Sequence, residues 1–137
     1  KTALLLKQWI EEKPLYEIEE MFGVGSGDIE AKKSSAEWIT FSASRLARHY
    51  RREYAPFIDM LSLRISEGIK KEIIPLVSIP GVGRVRARLL YNHGFRSFQE
   101  LAGARVSDIS AIKGFSNVMA ERIISYAANQ VNKSGSD

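Results

Sequence analysis

Apolar residues recur along this chain at three- and four-residue intervals, a pattern that predicts an all-α protein. From Thr2 to Glu12, the residues Leu5, Leu6, Trp9 and Ile10 fall at helical spacing. Pro14 breaks that segment and opens a second short helix, PLYEIEEMF, whose acidic residues face water. A glycine-rich turn, GVGSGD, follows, and Asp28 is placed to cap a long helix reaching about Tyr50. The core stripe predicted for that helix is Ile29, Ala36, Ile39, Ala43, Leu46, Ala47 and Tyr50. After Arg51 and Arg52 the pattern restarts with Pro56, Phe57, Met60, Leu61, Leu63, Ile65 and Ile69, as one helix or two meeting near Gly68.

The second half of the chain repeats itself. A short apolar helix over Lys70 to Val77 leads into Ile79-Pro80-Gly81-Val82-Gly83, and a helix from Arg84 to Asn92 follows, stopped by Gly94. The same succession returns 33 residues later as Ile112-Lys113-Gly114-Phe115-Ser116, followed by a helix from Asn117 to Asn129. Pro80 bars a helix from crossing the turn, and the glycines permit backbone angles that side chains forbid. A hairpin of this kind leaves N–H groups unbonded at the start of the next helix, where an anion is stabilised. The arginines Arg84, Arg86 and Arg88 follow at once, so a phosphodiester is the anion that fits. This is the pattern of a helix-hairpin-helix nucleic-acid-binding element. The candidate phosphate ligands are Gly81, Val82, Gly83, Arg84, Arg86 and Arg88. In the second copy Ser116 replaces Gly83 and arginines are fewer, which points to weaker binding or a structural role. Lys113 and Gly114 are its secondary DNA contacts.

The predicted organisation is a helical bundle over 1–68, a compact tandem helix-hairpin-helix domain over 69–131, and a disordered polar tail over 132–137. The charge distribution supports that division. The net charge is only +4, but residues 1–68 carry ten Lys and Arg against eleven Asp and Glu, and the remainder ten against five. No acidic residue stands between Glu72 and Glu100, the interval that holds the first hairpin. A basic patch confined to one module is the electrostatic footprint of phosphate contact. Absence of cysteine excludes disulfides and thiolate metal sites, and the expected location is intracellular, in the cytoplasm. No apolar run is long enough to span a bilayer, so no membrane partner is expected. A monomer is expected, and the chain reads as an excised fragment.

Trp38 stands outside the predicted core stripe, about 140° from its centre on ideal helix geometry. Its neighbours on that outer face are Ala31, Ser34, Ser42, Arg45, His49 and Arg52. Small residues leave an indole face open and arginines add charge, which suits stacking of a nucleobase with cations near the backbone. Burial of Trp38 beneath a neighbouring helix is the competing reading. Arg45 and Arg52 are secondary DNA contacts. Neither His49 nor His93 sits in a metal-ligand pattern, and no nucleophile, Walker A sequence or zinc-protease motif is present. GVGSGD resembles a phosphate loop only superficially, because it follows a helix and lacks the Lys-Ser/Thr ending.

Taken together, GSGDIEAKKSSAEW and EIIPLVSIPGVGRVRARLLYNHGFRS resemble the C-terminal region of archaeal HelQ-type superfamily 2 DNA helicases. The resemblance covers nearly the whole chain. It implies that the long helix belongs to a ratchet domain lying across the path of a translocating single strand, with Trp38 matching the aromatic residue that stacks on a base. Relatives can carry a basic stacking partner two turns earlier, where this chain has Ala31. The resemblance further implies that the hairpin domain contacts the emerging strand, and that Arg84, Arg86 and Arg88 match an arginine motif coupling DNA grip to the motor as a brake. It implies single-stranded and forked DNA as ligands, RecA-like motor domains as partners, and 3′–5′ polarity. ATP and Mg²⁺ would serve those motor domains, whose P-loop and Walker B motifs are not in these residues. No cofactor and no ATP hydrolysis are therefore expected of this chain. Two other classes of protein use such hairpins. A base-excision glycosylase needs an acidic residue shortly after the hairpin, and none occurs before Glu100. A hairpin module for protein interaction in a DNA repair complex would expose an apolar surface, for which Phe115, Val118 and Met119 are the candidates.

Overall fold

The computed structural model describes residues 1–135, and among these it contains nine α-helices, two short 3-10 turns and no strand. The chain divides into two compact units, Lys1–Lys71 and Glu72–Asp137.

In the first unit, α1 (Thr2–Ile10), α2 (Leu15–Phe22), α3 (Ser26–Tyr50) and α4 (Ala55–Glu67) form a bundle. Leu5 and Trp9 of α1 pack with Ile18 of α2 and Ile29 of α3, and Leu6, Ile10, Phe22 and Val24 close around them. Trp9 also ties α1 to α4, its Nε1–H donating to the Ile65 carbonyl at 2.7 Å. Gly68, at φ 68°, adopts the left-handed conformation that ends α4.

Two details of α3 differ from the sequence expectation. Its N-cap is Gly25, in extended backbone, and Asp28 lies within the first turn with its carboxylate accepting from the Gly25 N–H at 3.4 Å. The carboxylate thus serves the helix start from inside it, where it also faces the positive end of the helix dipole. The buried stripe is Ile29, Lys33, Ser44 and Ala47, whereas Ile39, Leu46 and Tyr50 are exposed. The true core face is turned by roughly 60° from the predicted one on ideal geometry. Polar pairing explains the rotation. The Lys33 ammonium lies 4.3 Å from the Trp9 ring centroid and 2.8 Å from Glu30, which offsets the desolvation of its charge. Ser44 donates to Asp59 of α4, and Arg48 pairs with the same carboxylate at 2.6 Å. Hydropathy assigns such residues to solvent, and only the pairing makes them core.

The second unit contains α5 (Ile74–Val77), α6 (Arg84–Asn92), α7 (Phe98–Ala102), α8 (Val106–Ser110) and α9 (Asn117–Gly135). The repeat seen in the sequence is also a repeat of burial. Leu76, Ile79, Val82, Ala87 and Leu90 are buried, and so are Ile109, Ile112, Phe115, Ala120 and Ile123, each 33 residues on. Both copies thus bury one apolar face at matching positions within a single compact unit. Ser97 caps α7 by accepting from the Glu100 N–H at 3.2 Å, and Phe98 meets Tyr126 of α9 edge to face. The polar tail expected from residue 132 is helical as far as Gly135. No proline or glycine interrupts Val131 to Ser134, and Lys133 lies at the end of α9 that favours a cation. Ser136 and Asp137, the rest of that expected tail, lie outside the described residues.

Candidate nucleic-acid interface

Between α5 and α6 the chain makes a tight turn in which the Val82 N–H donates to the Ile79 carbonyl at 3.0 Å. Pro80 and Gly81 occupy the central positions, and Gly81 sits at φ 81°, which is the geometry of a type II turn. Gly83 is the N-cap of α6 and supplies no side-chain cap. The first helical bond runs from the Ala87 N–H to the Gly83 carbonyl at 2.9 Å. Among the described residues, the N–H groups of Gly83 and Val85 meet no acceptor. A shallow pocket of about 370 Å³ opens there, lined by Gly83, Arg84, Val85 and Arg86. Donors without acceptors, at the positive end of a helix and beside guanidinium groups, make this a place for an anion.

The other expected phosphate ligands are placed differently from one another. Val82 is buried and its N–H is committed to the turn, so its part is to hold the hairpin shape. Arg86 is exposed and donates from Nη1 to the Gly81 carbonyl at 3.1 Å, bracing the turn from outside. Arg88 pairs with Glu72 at 2.7 Å and lies over the Tyr91 ring, so most of its charge is answered within the unit. Arg84 is half-buried at the mouth of the pocket.

The second hairpin copies the turn but not the free helix start. Its Phe115 N–H donates to the Ile112 carbonyl at 3.1 Å, and Gly114 sits at φ 93°. Ser116, however, accepts the Met119 N–H on its own Oγ at 3.2 Å, so α9 begins already capped. Lys113 is exposed beside it.

In the first unit Trp38 is 71% exposed and stands on the outer face of α3. It shares with Phe41, itself 57% exposed, a groove of about 610 Å³ between α3 and α4. Arg45 lies over the Phe41 ring at 5.8 Å. A second groove of about 580 Å³ further along is lined by Arg45, Arg48, His49 and Arg52, with Asp59 at its edge. Arg48 is paired to Asp59, and Arg52 donates from Nε to the Arg48 carbonyl at 3.1 Å, so Arg45 and Arg52 supply the charge that Asp59 does not neutralise. Ala31 faces a separate groove, shared with Leu6 of α1. Sequence reasoning missed Phe41. Its place three residues after Trp38, on nearly the same helical face, was the available signal. Among the described residues no cluster of histidine, aspartate and glutamate could hold a metal ion, and no helix is long and apolar enough to cross a membrane.

These features define a class: a helical bundle carrying an exposed aromatic and arginine face, joined to a tandem helix-hairpin-helix module. Comparison with known proteins agrees for each part. Residues 1–68 match the family described as archaeal helicase, domain 4, and residues 73–129 match the SAM-like helix-hairpin-helix tandem. Over 133 residues the chain is 42% identical to an ATP-dependent DNA helicase Hel308 of Thermoplasma acidophilum, covering 97% of this chain and 20% of that protein. It is 37% identical over 133 residues to the protein of the same name from Pyrococcus horikoshii, covering 96% of this chain and 19% of the relative. The chain belongs to the Hel308-type archaeal superfamily 2 helicase family, whose C-terminal region it matches. It spans about a fifth of the length of these curated relatives, and neither of its two matched regions is the catalytic helicase core.

Proposed function

We propose that this chain is the DNA-gripping and regulatory part of an ATP-dependent 3′–5′ DNA helicase. The observation that carries this reading is Trp38: a tryptophan exposed on the long helix of an archaeal helicase domain 4, with unneutralised arginines following along the same face. Trp38 stacks on a base of the translocated single strand, while Arg45 and Arg52 neutralise its phosphates. In the second unit the Gly81–Gly83 hairpin and the start of α6 hold a backbone phosphate, with Arg84 and Arg86 adding charge. Arg88 keeps α6 in place through Glu72, and Lys113 and Gly114 give a weaker second contact. Single-stranded and forked DNA are the ligands. RecA-like motor domains of the longer protein are the partners, and ATP and Mg²⁺ serve those domains; no step of the grip runs through them. The exposed apolar residues of the bundle, among them Leu46, Tyr50 and Phe57, offer a surface on which such domains seat.

The hairpin-mediated protein-interaction reading loses Phe115, which is buried, and keeps the exposed Val118 with the partly exposed Met119, a smaller apolar surface than it requires. Titration with single-stranded and duplex DNA tests the proposal. Trp38→Ala is expected to weaken single-strand binding by about 1–3 kcal/mol, the usual contribution of one base–aromatic stack, and to change duplex binding much less. Equal losses on both would make Trp38 a general surface contact and sink the stacking role.

A further inference from the structure

The groove beside Trp38 contains a group that stacking and phosphate contact leave without a task. Glu37 lies half-buried in its wall, and among the described residues its carboxylate has no hydrogen-bond or ion-pair partner. Asp59 at the same groove is different, since Ser44 and Arg48 both engage it. A carboxylate held half out of water is stabilised by N–H donors and repels phosphate oxygens. Any part of a DNA strand that enters this groove must therefore present donors. Among the parts of a nucleotide, the exocyclic amino groups of cytosine, adenine and guanine do so in the plane of a ring. Thymine carries a keto oxygen where cytosine has its amino group, and its one donor, the ring N3–H, is flanked on both sides by keto oxygens that would oppose Glu37.

The rest of the groove suits a ring. Phe41 exposes more than half its surface beside Trp38, and Arg45 lies over Phe41, continuing a ladder of flat groups along α3. Ser62 and Ser66 on α4 form the opposite wall. Their hydroxyls both donate and accept, so they accommodate any base edge without choosing among them.

We propose that this groove receives one unstacked base of the single strand, with Phe41 as a second stacking wall beside Trp38 and Glu37 accepting from the base's amino group. The grip then prefers amino-bearing bases over thymine. The proposal rests on the reading of the chain as a single-strand grip, and adds to it a base preference and two further contact residues.

Oligo(dC) and oligo(dT) of equal length, end-labelled and titrated by anisotropy at one salt concentration, test it on the whole chain. Both are pyrimidines with the same backbone and differ chiefly in the amino and keto edge. Wild type is expected to bind oligo(dC) roughly tenfold more tightly, the scale of one charge-assisted hydrogen bond. Glu37→Gln, whose amide both donates and accepts, should bring the two affinities within about twofold. Phe41→Ala should weaken both oligomers roughly five- to tenfold while keeping their ratio, and Phe41→Trp should restore affinity. Both positions are partly solvent-facing, and far-UV circular dichroism confirms that each variant is folded. Equal affinity of wild type for the two oligomers, or a ratio that survives Glu37→Gln, overturns the amino-edge assignment even if Trp38→Ala still abolishes tight binding. Unchanged affinity in Phe41→Ala overturns the second wall. Absence of binding to both oligomers overturns the single-strand reading beneath the proposal and the proposal with it.

Discussion

Gly81 and Gly83 look alike in the sequence, yet the backbone asks different things of them. Gly81 sits at φ 81° with open space around it, so a methyl group there meets no neighbour and only the left-handed conformation resists it. Gly81→Ala is expected to lower the stability of the hairpin unit by about 1–2 kcal/mol in chemical denaturation. Gly83 has an ordinary φ and equally open surroundings. Gly83→Ala should cost at most about 1 kcal/mol of stability, since alanine is a poorer N-cap than glycine, while its methyl shades the N–H groups at the α6 start, so DNA affinity falls without loss of fold. A larger loss of stability in Gly83→Ala would place the residue in the framework instead. The two tryptophans contrast in the same way. Trp9 is buried and donates to the Ile65 carbonyl, so Trp9→Phe strands a buried acceptor and should destabilise the bundle by about 1–3 kcal/mol in a urea titration. Trp38 was separable from the core in the sequence because its helical phase was wrong for the stripe. Phe41 was separable by the same phase argument, whereas Glu37 was not, because a half-buried carboxylate carries no mark of its burial in the amino-acid string.

At the level of elements, the two hairpins were legible as a repeat, since turn glycines and apolar spacing recur in register and a turn is a local structure. Their inequality was legible too, through Ser116 in place of Gly83. What the fold adds is the cause: the Ser116 hydroxyl occupies an N–H at the start of α9 that α6 leaves open. Ser116→Gly should cost only a few tenths of a kcal/mol in stability. It should also raise affinity for DNA, most visibly at low salt, because the second helix start is then uncapped like the first. No gain in affinity would assign the second hairpin a purely structural role. The long helix α3 was legible in extent and misread in orientation. Its core face contains Lys33 and Ser44, which earn burial through Glu30, Trp9 and Asp59, partners that the sequence keeps 3, 24 and 15 residues away.

For the whole molecule, charge separates the two units more sharply than composition does. Arg45 and Arg52 carry positive charge on the bundle, and Arg84 and Arg86 on the hairpin unit. Single-strand affinity should therefore fall with rising salt. Replacing Arg45 or Arg52 by Ala should each reduce the slope of log K against log salt by about 0.7, the value for one phosphate on a single strand. Arg48→Ala should leave the slope nearly unchanged, because Asp59 already neutralises that guanidinium. A slope that responds equally to all three would mean that the Arg48–Asp59 pair opens on binding.

Helix content, the 33-residue repeat, the hairpin turns and the basic second half depend on local sterics, periodicity and formal charge, and all of them were in the sequence. The resemblance that led to the family rested on contiguous motifs of the same kind. Which face of α3 is buried, which arginines keep their charge, and which wall closes the groove beside Trp38 depend on partners distant in the chain. A paired arginine and an unpaired one are the same letter. Their difference is a distance, 2.6 Å from Arg48 to Asp59 and 2.7 Å from Arg88 to Glu72, and it arises only when folding brings a carboxylate to one guanidinium and leaves another in water.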